Sequence, residues 1–397
     1  MGAHISARER QPSGSRSPGA GPGDRLVVLD GVRMVAALSV LFYHYAALQS
    51  AWGTPPSTLF PLAGRFAVYG WLGVEIFFLV SGFVICMSAW GRTLGDFAVS
   101  RVSRLFPAYW AAVAFTATVL FTWPEVRAMG PFSNVVVNLS MLQHGIGIPD
   151  LDDAYWTLFA ELKFYALFAL VVARGVTYRN CVLFCGIWTL GSAVAPAIDN
   201  SVLSFFAVSS CSPYFIGGIA FHLMRRFGPN AVLWGIVGVQ FLLAQNYVHG
   251  RMISNLGPGL ALKTPAWPAH TVIALGFLAM AAIALGVFDG MRWRWLPYAG
   301  ALTYPLYLIH MMAGLTIIHH FRTTVAPVPL ALSVTALMLV LAWVIHRLVE
   351  RPLGRLLGAG LRRGIEDIRA GTPRRAPLPA IPAQASAPDA EQISAGR

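Results

Sequence analysis

Apolar runs of about 20 residues recur along this chain, each long enough to cross the ~30 Å hydrocarbon core of a bilayer. In that core the backbone has no water to bond, so only helices and closed barrels can span it. Barrel strands alternate apolar and polar residues, and these runs do not. Charged residues make up 12% of the 397, about half the usual share in a soluble domain. The expected fold is therefore all-α, a polytopic membrane protein with about ten transmembrane helices.

The runs lie at about 27–48, 67–90, 106–123, 156–173, 180–198, 203–223, 231–248, 269–288, 297–318 and 328–348. Ser212-Pro213 is expected to interrupt the sixth. With the N-terminus inside, the inner loops hold nine arginines and the longer outer loops only five Lys or Arg. That bias fits cytoplasmic termini, and the expected location is the plasma (inner) membrane. Residues 1–24, rich in Gly, Ser, Pro and Arg, are read as a disordered cytoplasmic tail with no signal peptide. Residues 25–352 form the transmembrane domain, and 353–397 are expected to be a mostly disordered second tail.

The net charge of +12 sits largely in the tails and short loops. It fits topology signalling and anionic headgroups, so no nucleic-acid partner is expected. Cys86, Cys181, Cys185 and Cys211 all fall in or beside apolar spans, where a thiol is usually a small buried hydrophobe. No metal site is expected.

The polar residues inside spans carry the functional information. Arg33 and His44 share the first helix. Eleven steps of about 100° end roughly 20° past three turns, so both point the same way, ~16 Å apart. Given the orientation, Arg33 is low and His44 high. Glu75, Glu161 and His310 also fall in the outer halves of their helices. Two histidines and two carboxylates from four helices can thus meet at one level, although depth does not give rotation. A carboxylate within a span needs a partner or a proton. Arg101 and Arg104, three apart on the cytoplasmic side, suit an anionic ligand such as a phosphate.

Six segments, in order, carry a resemblance. They are Arg33 with His44, GVEIFFLVSGFVI around Glu75, RVSRLFPAYW, YWTLFAELKFY, LTYPLYLIH and the closing VERP. Together they resemble the acyltransferase 3 family of integral membrane acyltransferases, over residues 27–352. Two positions depart from the family's pattern: Thr157 replaces a usual Ser, and Glu75 stands where Asp is common. Some members add an extracytoplasmic hydrolase-like domain, and a scheme ending on one would need a separate protein.

The resemblance implies an O-acetyltransferase that moves an acyl group, commonly acetyl, from cytoplasmic acyl-CoA to a hydroxyl. The acceptor would be a glycan, a cell-envelope polysaccharide or a small molecule. Acyl-CoA would be a donor substrate, with no permanently bound cofactor. His44 would be the general base, with Glu75 or Glu161 orienting it. Arg33, Arg101 and Arg104 would hold the donor's phosphates, and Tyr155, Trp156, Tyr304 and His310 would meet the acceptor. Tyr155 and Trp267 are candidates for stacking on sugar rings. The alternative is a proton-coupled transporter or exporter that uses Glu75, Glu161 and His44 as a relay. Oligomeric state stays open.

Overall fold

The computed structural model describes residues 26–48, 51–198 and 200–371. The tail expected at 1–24 lies outside them. The described residues are helical, with no strand among them. The bundle runs α1 (Val27–Ala46), two short helices α2 (Pro56–Leu59) and α3 (Ala63–Ala67), α4 (Leu72–Ala89) and α5 (Leu94–Thr122). After the short α6 (Phe132–Asn138) come α7 (Trp156–Ala173), α8 (Tyr178–Val194), α9 (Ser201–Ala207) and α10 (Ser212–Phe227). The rest are α11 (Ala231–Lys263), α12 (Trp267–Ala284), α13 (Leu296–Ile309), α14 (Met312–Phe321), α15 (Pro327–Ile345) and α16 (Arg351–Ala370).

Among the described residues, eight helices are long and apolar enough to cross a membrane, or ten with each bent pair taken as one span. The protein is thus a multi-pass membrane protein. Capping sets several starts. The side chains of Thr93, Thr177 and Asn230 accept the backbone N–H of Asp96, Asn180 and Leu233, groups the first helical turn leaves unpaired.

The bent pairs refine the expected spans. α9 and α10 meet at 44°, with the break before Ser212 and Pro213 inside the first turn of α10. Pro is tolerated there because that N–H has no helical partner. α13 and α14 meet at 68°, with His310 at the bend. The span expected at 231–248 belongs to a helix running to Lys263, kinked at Gly257 beside Pro258. α5 begins at Leu94, so Arg101 and Arg104 are helical residues, not loop residues. Residues 353–370, expected to be tail, are also helical and pack on α5; 372–397 lie outside the described residues.

α4 is the centre of the bundle, between α1 and α10. A Cβ on Gly82 would strike the Phe215 carbonyl, and one on Gly218 the Leu79 carbonyl. The two backbones touch, which only small residues permit. This contact fixes the height at which α4 presents Glu75 and Ser81.

Candidate active site

Two polar tiers lie along the bundle axis. The first is a cavity of about 800 Å³, its open mouth included, between α1, α4, α5, α7 and α13. Arg33, Arg101, Arg104, Glu161 and Tyr304 line it. The three arginines expected to act together do share one wall system. Arg101 is buried, donating to Ser88 Oγ at 3.2 Å and Ser100 Oγ at 3.0 Å, while its Nε has no partner among the described residues. Its guanidinium also lies 5.9 Å from the Tyr165 ring centre.

Glu161 faces this cavity and not His44. Its Oε1 accepts from Ser81 Oγ and from Tyr165 OH, each at 2.6 Å. Tyr304 donates its hydroxyl to the Leu105 carbonyl at 3.0 Å, tying α13 to α5.

The second tier holds the histidines. His44 Nδ1 and His310 Nε2 are 3.0 Å apart, joining α1 to the bend after α13. His310 Nδ1 lies 2.7 Å from the Tyr307 carbonyl oxygen. The bend frees backbone carbonyls, and side chains take them up. Tyr45 OH donates to the His310 carbonyl at 2.7 Å and Tyr155 OH to the Leu308 carbonyl at 3.3 Å. Asp152 Oδ2 accepts from Met312 N at 2.8 Å and caps α14. Tyr307 separates the tiers. Its ring lines the cavity, sits 5.5 Å from His310 and 5.7 Å from Phe77, and its hydroxyl meets Thr157 Oγ1 at 2.9 Å.

The expected partners of His44 therefore need correction. Glu75 is fully buried but pairs with Arg251, whose Nε and Nη2 reach Oε1 at 2.8 and 2.7 Å. Its other oxygen has no partner among the described residues. His310, assigned to the acceptor, instead meets His44. Tyr155 is fully buried with its ring against Tyr109, so it cannot stack on a sugar. Trp156 is half-buried under the Arg251 guanidinium, 5.1 Å from the ring centre. Trp267 is 70% exposed at the start of α12. The sequence counts Arg251 only as an outer-loop cation, because Tyr247, His249 and Gly250 end the apolar run before it.

The family model that describes an acyltransferase domain matches residues 26–347. The chain belongs to this family, acyltransferase 3. Its relatives include the acyltransferase MdmB of Streptomyces mycarofaciens, 24% identical over 377 residues, covering 84% of this chain and 93% of that protein. The putative peptidoglycan O-acetyltransferase YrhL of Bacillus subtilis (strain 168) is 28% identical over 298 residues, covering 70% of this chain and 41% of that one. The exopolysaccharide production protein ExoZ of Rhizobium meliloti (strain 1021) is 25% identical over 273 residues, covering 56% and 82%. No solved structure matches the chain. The protein is an acyltransferase enzyme of the membrane.

Proposed function

We propose that the protein transfers an acyl group, acetyl by preference, from cytoplasmic acyl-CoA to a hydroxyl of a glycan, cell-envelope polysaccharide or small molecule. The observation that carries this reading is the convergence of Arg33, Arg101 and Arg104 on one cavity, with His44 about 16 Å further along α1. Guanidiniums match phosphate oxygens in charge and in forked geometry. The pantetheine arm of acyl-CoA would carry the thioester from that end toward the tier of Tyr307 and His44.

His44 acts as general base. The acceptor hydroxyl gives its proton to the imidazole as its oxygen attacks the thioester carbonyl. The C–S bond breaks, and the sulfur leaves with the proton as the free thiol. Ser81 and Tyr165 hold Glu161 in the donor cavity, where it orients the acyl-CoA arm or an acceptor hydroxyl. The charge bias of the loops supports a reading in which the arginine end faces the cytoplasm and the bundle spans the plasma membrane. The proton-relay alternative is weaker, because Glu75 is committed to Arg251.

The test is acyl-CoA turnover by purified wild type, His44→Ala and Arg33→Ala, with thermal stabilisation by acetyl-CoA measured in parallel. A shift in wild type and loss of turnover in His44→Ala are expected. Full activity of His44→Ala sinks the base. No acetyl-CoA shift in the wild type removes the donor.

A further inference from the structure

We propose that His310 is a positioning residue: it locks His44 in the tautomer whose Nε2 lone pair is free to take the acceptor's proton. The proposal rests on the reading of His44 as the base.

The donors and acceptors around the two histidines form a chain that permits one direction. The Tyr307 carbonyl can only accept, and His310 Nδ1 is 2.7 Å from it. His310 Nδ1 therefore carries a hydrogen. A neutral imidazole has one N–H, so His310 Nε2 is left with a lone pair. His44 Nδ1 faces that lone pair at 3.0 Å and must donate to it. His44 then keeps its own lone pair on Nε2; among the described residues, the ring's one further polar contact is with the Val40 backbone carbonyl, one turn back on α1. The reverse chain needs a cationic His310 in a site where that residue is 1% exposed, or two lone pairs facing each other at the Tyr307 carbonyl.

The anchor is the bend itself. In an unbroken helix the Tyr307 carbonyl would accept from residue 311, but here the helix stops at Ile309. Its free carbonyl takes the His310 ring instead. The same break turns the His310 backbone carbonyl to Tyr45. One interruption thus both aims the second histidine and fixes its protonation.

During transfer the acceptor oxygen forms its bond to the acyl carbon and its proton passes to His44 Nε2. His44 becomes an imidazolium with hydrogens on both nitrogens. Its Nδ1–H then makes a charge-assisted bond to His310 Nε2. Departure of the thiolate with the Nε2 proton restores the neutral pair.

The experiment compares His310→Leu, His310→Gln, His44→Ala and His44→Ala/His310→Leu. Leucine removes the acceptor. Glutamine puts an amide oxygen near the position of Nε2. Expected are a kcat loss of about 100-fold for His310→Leu, most of the rate kept in His310→Gln, and unchanged KM for acetyl-CoA in both. The double variant should be no slower than His44→Ala, because His310 acts only through His44. Equal losses in the leucine and glutamine variants, full kcat in a folded His310→Leu, or additive losses in the double variant overturn the proposal. The ¹⁵N histidine resonances of wild type, assigned with His44→Ala, separate this from the base reading. Hydrogen on His44 Nδ1 is expected. Hydrogen on Nε2 overturns the proposal whatever the activities, while full activity of His44→Ala with hydrogen on Nδ1 overturns only the base.

Discussion

Glu75 and Arg251, 176 residues apart, form an ion pair in which two guanidinium nitrogens share one carboxylate oxygen at 2.8 and 2.7 Å. Neither residue reaches the arginine-lined cavity. The pair ties α11 to α4, and removing one member strands the other charge away from water. Arg251→Met should lower stability by about 3–5 kcal/mol, and Glu75→Gln/Arg251→Met should recover most of it. Thermal unfolding in lipid nanodiscs reads this directly. A double variant as unstable as Arg251→Met would refute the coupling.

Arg33 and Arg101 enter the cavity proposed for the donor from α1 and α5. A charge-assisted bond is worth about 1.5–3 kcal/mol, so Arg33→Gln or Arg101→Gln should raise KM for acetyl-CoA by roughly 10- to 100-fold. The rate at saturating donor should hold, because neither group touches the reacting carbonyl. Steady-state kinetics separates the two parameters. A fall in kcat with constant KM would place these arginines at the chemistry instead.

The contact between α4 and α10 leaves no room for a methyl group at Gly218. Gly218→Ala must push Leu79 and its neighbours aside, at a cost of about 1–3 kcal/mol. Gly238→Ala is the control. Nothing lies within 4 Å of a Cβ there, so the better helix former should be neutral or mildly stabilising. Unfolding temperatures of the two variants should move apart, and a shared shift would show that the helices can separate freely.

Asp152 sits just ahead of α7, outside the spans, and is fully buried. Burial pushes its carboxyl up to about 7, although the Ala154 and Met312 N–H groups pull the other way. The folded state therefore holds the proton more tightly than the unfolded one. Stability from this group is full below about pH 4 and declines as pH rises to about 7. Melting temperatures of wild type should fall across that window more steeply than those of Asp152→Asn. Parallel slopes would remove Asp152 as the cause.

Depth along each helix was legible in the sequence, and rotation was not. The eleven-residue spacing of Arg33 and His44 and the three-residue spacing of Arg101 and Arg104 follow from helical geometry alone. The same reading put Glu75 level with His44, but α4 turns it to Arg251. The match of His44 with His310 spans 266 residues of chain. Ser212-Pro213 signalled one broken span. The other had no such signal, because PLYLIHMMAGL holds no Pro or Gly at the break itself. Side chains from elsewhere in the chain, those of Tyr45, Tyr155 and Asp152, take up the backbone groups this break leaves free.

Those side chains make the bend at His310 an elbow, not a hinge. Tyr45, Tyr155, Asp152 and His310 itself occupy the backbone groups that a flexing joint would need to exchange. Two phenols and a carboxyl, none of them lining the donor cavity, thus set the angle at which one imidazole meets another. Loosening any of them would shift the partner of His44 without moving a side chain that lines the arginine cavity.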